Sequence, residues 1–402
     1  MTSFGGPVAH LAYFRERCVQ RLRWIDDAQY AQLVACCHAL PGPTSSQAGF
    51  LLGWLRAGPL GALAAWVAFT APSAAVMILL AIALGSSADP SASGWIAGIK
   101  AIVPAVVLHA VAGMARTLCR GAARVAIATV AGGITMAWSH PLEQLVAIAV
   151  GALAGVAALG VAGSDRRGPA GSAMTPDGTH SGAAARSDSM MPDAHPLHIS
   201  RAAALACATL LAIVLVGALL MRDERIAPYV SAGALVFGGG HVVLPLLEAD
   251  LVPGIVDQSR FLAGYGAAQA IPGPLFTIAS YLGASTAVRA GDAPGAATLW
   301  GIAATAAIFA PGLLLAAGAW PLWSALSRVP RAMGALAGVQ AAVTGILAAA
   351  LIEIVVPASL APAGRADLWL CAIAALAFVA LRWGAPAWLV TVAGSLLGTF
   401  GS

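Results

Sequence analysis

Apolar stretches of roughly one membrane thickness recur along this chain, separated by short turns rich in Gly, Pro and Arg. The clearest occupy residues 59–84, 95–114, 142–162, 201–221, 294–318, 332–356 and 385–400. A helix needs about 20 apolar residues to cross a bilayer, so the pattern predicts an all-α polytopic membrane protein. One segment departs from it. Residues 163–200 are rich in Gly, Ser, Ala, Pro and Asp and lack hydrophobic periodicity, which predicts a flexible linker between two halves. Its scattered histidines, His180, His195 and His198, read as solvated linker residues rather than a metal site.

The two halves carry the same marks. Ser3-Phe4-Gly5-Gly6-Pro7 is followed, 37 residues after its Phe, by Pro41-Gly42-Pro43. Val236-Phe237-Gly238-Gly239-Gly240 is followed, 35 residues after its Phe, by Pro272-Gly273-Pro274. Each copy then enters an apolar helix holding Ala71-Pro72 or Ala310-Pro311 and reaches a matching stretch, Gly98-Ile99-Lys100 or Gly338-Val339-Gln340. Paired units whose helices are broken by Gly and Pro are a transporter signature.

Arginine placement selects a topology. If each unit dips into the membrane and returns to the side it entered, the cluster Arg15, Arg17, Arg21 and Arg23 lies inside. So do Arg56, the Arg116–Arg124 loop, the linker, Arg328, Arg331 and Arg382. That puts most of the basic residues in the cytoplasm, as short loops prefer. An uninterrupted crossing at Pro41–Pro43 would instead send the Arg116 loop outside. About four transmembrane helices then follow each re-entrant unit, and the single connecting span at 201–221 turns the second copy over. The expected organisation is a first repeat at 1–162, a cytoplasmic linker at 163–200, and at 201–402 a connecting transmembrane helix plus a second, inverted repeat.

Composition sharpens the class. Of 402 residues, 59% are hydrophobic and 9% charged, with mean hydropathy +0.85, against a charged share of roughly 25% in soluble domains. The six cysteines show no CxxC spacing, and the net charge of +4 comes with no basic, aromatic-interleaved patch. A disulfide scaffold, a zinc ribbon and a nucleic-acid partner are therefore not indicated. The partner read from the sequence is the lipid bilayer; no cofactor and no metal are expected, and a homodimer stays open. No HExxH, GxSxG or paired-carboxylate motif stands in the spans, which argues against an intramembrane enzyme.

The chemistry is expected at the broken helices. After Pro43 come Thr44, Ser45, Ser46 and Gln47, so that half-helix opens with hydroxyls and unpaired backbone N–H groups, an end suited to an oxyanion. The second break offers Gln269, Pro272, Gly273, Pro274 and Thr277, and the glycine runs add Gly5, Gly6, Pro7, Gly238, Gly239, Gly240 and His241. Lys100, with Gln340 as its counterpart, is a candidate cation on the substrate path or a side chain snorkelling to the interface. His38, His109, His241 and Glu353 are candidates for a coupled proton. Cys36-Cys37-His38 looks like a soft-metal ligand set, the starting point for a divalent metal-cation carrier. Only Glu353 is expected deep in a span beside it, which weighs against that alternative.

These motifs, Ser3 to Pro7, Pro41 to Pro43 with Gln47, Val236 to His241 and Gln269 to Pro274, resemble those of the chromate ion transporter family in its long, two-domain bacterial form. The resemblance covers both halves outside the linker. It implies a multi-pass protein of the bacterial inner membrane that exports chromate, confers chromate resistance and is driven by the proton-motive force. Transport of sulfate or another oxyanion is the alternative that the resemblance leaves open. An oxyanion transporter follows from the residues; chromate follows from the resemblance alone.

Overall fold

The computed structural model describes residues 6–85, 94–138, 143–159, 199–221, 225–236, 243–252, 254–356 and 368–399. Among them every regular element is helical. Five helices are long and apolar enough to cross a membrane: Thr44–Gly85, Ala97–Leu118, Arg201–Ala218, Pro294–Leu326 and Pro330–Glu353. The linker reading at 163–200 falls, but for Ile199 and Ser200, outside the described residues; Ser200 caps the next helix by accepting from Ala203 N at 3.2 Å.

In the first half, α1 (Gly6–Phe14) runs into a π turn (Arg15–Arg21), then α2 (Asp27–Ala39) and α3 (Thr44–Gly85). Asp26 and Gln29 form a capping box at the start of α2. Helix α2 ends because Leu40 precedes a proline and is extended, φ −90° and ψ 154°. Helix α3 is broken in its turn at Ala57 and Gly58, the latter with φ +68°. Its two arms lie side by side, since a Cβ on Gly53 would overlap the Gly61 carbonyl. Before the break, the Arg56 guanidinium sits 5.7 Å over the Trp24 ring. Trp24 precedes α2 and Arg56 ends the first arm, so the entry and the exit of this unit lie beside each other.

Spans α4 (Gly94–Leu118), α5 (Ala122–Ala137) and α6 (Glu143–Leu159) complete the half, and α7 (Arg201–Met221) connects it to the next. Only 11% of the apolar window of α7 is buried, so it runs along the lipid-facing rim. The second half repeats the order with α8 (Ala227–Leu235), α9 (Val243–Leu251), α10 (Gln258–Ala270), α11 (Ile278–Arg289) and α12 (Pro294–Leu326). A Cβ on Gly264 of α10 would overlap the Tyr281 ring of α11, so these two helices also fold back on each other. Then come α13 (Pro330–Ala350) with a π turn (Leu351–Val355), α14 (Leu368–Arg382) and α15 (Ala387–Thr399).

The halves exchange partners. Ala101, Ile102, Ala105 and Val106 of α4 share an apolar cluster with α14 and α15 of the other half. Ala341, Ala342 and Ile346 of α13 share one with α5 and α6. Glycines let these backbones touch, as small residues do between membrane helices. Gly98 packs on Gly394 and Gly398, and its counterpart Gly338 packs on Gly151 and Gly155. Leu60, Leu153, Leu368 and Trp383 stand 71–85% exposed, a face suited to lipid and not to water.

Candidate functional site

Two broken helices lie against the opposite half, and they do so reciprocally. At the first, Gly42 has φ +119°, a conformation that favours glycine, and its N–H donates to Val236 O at 2.6 Å. A Cβ there would come within 2.9 Å of the Gly312 Cα, next to Pro311 of α12. At the second, Gly273 has φ +147°, and a Cβ there would overlap the Ser73 hydroxyl, next to Pro72 of α3. Each Pro-Gly-Pro thus rests on the residue that follows the helix proline of the other copy. The matching Ala71-Pro72 and Ala310-Pro311 pairs in the sequence are the seats of the two breaks.

The polar start of the first half-helix is closed off. Thr44, Ser45, Ser46 and Gln47 are all buried, Gln47 completely. Gln47 Nε2 donates to Pro41 O at 2.6 Å and to Gly312 O at 3.0 Å, tying the break to α12. Ser46 Oγ and Gln47 Oε1 are buried without a hydrogen-bond partner among the described residues, as is Thr70 Oγ1 of the seat beneath Gly273. Orphan polar atoms of this kind are costly in an apolar interior, and at a functional site they mark groups waiting for a ligand or water.

The second break differs from the expected half-helix start. Leu275–Thr277 forms a 3-10 turn before α11, and Thr277 turns its hydroxyl back onto Pro274 O at 2.9 Å. No side chain caps that turn, so the chain tightens instead of opening a helix with free N–H groups. Pro272 is exposed, Gln269 and Gly273 are half-buried, and Pro274 is buried. Gln269 hydrogen-bonds the Tyr265 side chain.

Lys100 is half-buried and donates to Ser259 Oγ on α10 at 2.7 Å. Its counterpart Gln340 donates through Nε2 to His38 O on α2 at 3.0 Å. Equivalent residues of α4 and α13 therefore reach the broken-helix unit of the other half, one with a cation and one with an amide. The proton candidates scatter. His38 is exposed at an open cleft with Arg15, Asp27 and Tyr30; His109 is exposed on α4. Glu353 is exposed in the last turn of its span and not deep within it. Gly6 and Pro7 open α1, while Gly5 and Gly238 to His241 lie outside the described residues. Cys36 and Cys37 are fully buried while His38 is exposed, so the three do not converge on one point.

Sequence reasoning missed Glu248, buried to 2% on α9, and Ser259, which receives Lys100. A carboxylate within Val243-Leu244-Pro245-Leu246-Leu247-Glu248 was the available signal.

A family model described as chromate transporter matches residues 1–156 and 225–399. A probable chromate transport protein of Synechococcus elongatus is 25% identical over 87% of this chain and 80% of its own length. Chromate transport proteins of Cupriavidus metallidurans and Pseudomonas aeruginosa are 27% and 26% identical over 87% and 88% of this chain, and 78% of each of theirs. No solved structure matches. With the match running through both halves and both Pro-Gly-Pro breaks, this all-α polytopic membrane protein belongs to the chromate transporter family.

Proposed function

We propose that the protein is a secondary transporter of the bacterial inner membrane that exports chromate from the cytoplasm, is coupled to the proton-motive force and confers chromate resistance. The observation that supports this reading most is the reciprocal seating of the two breaks, Gly42 on Gly312 and Gly273 on Ser73. Two copies that contact each other in the same way on both sides are what a pseudo-twofold pair makes, and the single connecting helix α7 favours an inverted one. A site shared by the breaks then lies near the bilayer midplane, with Thr44 to Gln47 as its polar wall, while Lys100 stands at the other end of α10 as a cation on the approach to it.

Chromate enters through the family and through the relatives' names. Sulfate is also a tetrahedral dianion, and hydroxyl and N–H donors separate the two poorly, so sulfate or another oxyanion is the alternative cargo. The anion crosses without chemical change, and no cofactor takes part. The test is uptake of labelled chromate by everted vesicles with and without a proton gradient, with sulfate as competitor. Gradient-dependent chromate uptake is expected. Uptake that ignores the gradient would remove the coupling, and cells protected against cadmium or zinc but not chromate would overturn the oxyanion assignment.

A further inference from the structure

Helix α9 is buried at Leu244, Leu247 and Leu251, each 1% exposed or less, and among them sits Glu248 at 2%. Gln258 Nε2 donates to Glu248 Oε1, while Oε2 is buried with no hydrogen-bond partner among the described residues. No described Lys, Arg or His lies within ion-pair distance of it. The other ionisable groups on α9, α8 and α10 are Asp250, Tyr229, Tyr265 and the pair Asp257–Arg260, whose charges meet each other at 3.1 Å. A carboxylate shielded from water and lacking a cation is strongly disfavoured, and a single proton relieves it.

The position of Glu248 gives that proton a consequence. Gln258, its partner, is the first residue of α10, and Ser259, which follows it, accepts the Lys100 bond from the other half. The first turn of α10 is thus held by a carboxyl on one side and an ammonium on the other. Its far end leads directly into the Pro272-Gly273-Pro274 break. Ionised, Glu248 is an acceptor only and holds the Gln258 amide; protonated, it gains a donor and loses the charge that favours that bond.

Building on the transport reading, we propose that Glu248 is the proton-binding site of the transport cycle, a carboxyl that loads and releases one proton and passes the change through α10 to the second break. It does not touch the anion. Its role is to set when α10 can shift.

The test uses the full chain in liposomes, with two assays run side by side: chromate–chromate exchange at equal pH, and chromate movement driven by a pH gradient. Glu248→Gln is expected to retain exchange while gradient-driven movement falls about tenfold or more, as loss of an intramembrane proton carrier should cause; Glu248→Asp is expected to recover part of it. Gradient-driven movement at wild-type level in Glu248→Gln would overturn the proposal. Should that variant fail to insert, the wild-type protein provides a second measurement. A carbodiimide that modifies protonated carboxyls in apolar sites should label Glu248, less at high pH, by peptide mass mapping. Labelling of Glu248 that is absent at every pH would also overturn it. Wild-type liposomes that exchange neither chromate nor sulfate would sink the transport reading itself, a result distinct from either.

Discussion

The two Pro-Gly-Pro breaks are alike in sequence and unlike in condition. Around Pro41–Pro43 every residue from Ala39 to Ala48 is buried, whereas Pro272 is exposed and its neighbours Gln269 and Gly273 are half-buried. Register from the two motifs explains part of the difference. Gln47 falls where the second copy has Ile278. Gln47 bonds two carbonyls across the break, Pro41 and Gly312, and an isoleucine can bond neither. Among the described residues, one break is stitched to the opposite half by hydrogen bonds, and the other leans on a serine. If transport alternates access between the two faces, the second break is the mobile partner and the first the anchored one.

The strongest way to break this comparison is to overfill the anchored break. Gly42→Val meets a positive φ and the Gly312 backbone together, and is expected to cost about 2–5 kcal/mol and abolish transport. Gly273→Val also meets a positive φ, and the Ser73 Oγ and Cβ, but no opposing backbone atom, and should cost somewhat less. Thermal unfolding in detergent beside vesicle uptake checks both; equal losses would show that the two breaks are held alike. Next comes the polar wall. Thr44, Ser45 and Ser46 replaced together by Ala should lower chromate uptake about tenfold or more while insertion is kept, since each hydrogen bond to a charged ligand contributes roughly 1.5–3 kcal/mol. Undiminished uptake would move the site to the second break.

Lys100→Glu reverses the charge that reaches α10 from the other half at Ser259 and is expected to reduce uptake about tenfold. Lys100→Arg should keep part of it, because charge and reach survive while geometry changes. The smallest effect sharpens the comparison. Gln47→Ile makes the first copy match the second and removes two bonds worth about 1 kcal/mol each. A cysteine placed at Ser45, in a protein cleared of native cysteines, should then react faster with a maleimide. An unchanged rate would mean that Gln47 does not seal the break.

Much of the fold was legible from one-dimensional signals. The Arg201–Met221 span agrees at both ends with the apolar stretch, and α12 begins at Pro294, where the apolar pattern resumes. Proline and glycine act locally, so the breaks at Pro41–Pro43 and Pro272–Pro274 are visible in the amino-acid sequence alone. Counting arginines led to a re-entrant dip, and the Arg56–Trp24 contact brings the two ends of that unit together. The exchange of helices between halves was not legible. It depends on glycine faces such as Gly151 with Gly155 and Gly394 with Gly398, and among 45 glycines such spacings carry little information. Glu248 escaped for a related reason: burial is a property of neighbours, and Leu244 and Leu247 flank it in sequence without revealing that α8 packs on α9 and that Gln258 reaches it from α10. The 3-10 start after Pro274 likewise depends on the absence of a capping side chain.

The exchanged helices also redraw what counts as a part. With α4 seated on α14 and α15, and α13 seated on α5 and α6, each outer bundle is a hybrid containing chain from both copies. A body that swings as one piece would be such a hybrid, and its boundary cuts across the repeat boundary. Halves cut apart at the linker would each lose a wall of their own bundle, so neither fragment is a transporter in miniature. The repeat supplies the blueprint twice, but the machine it builds is assembled only once.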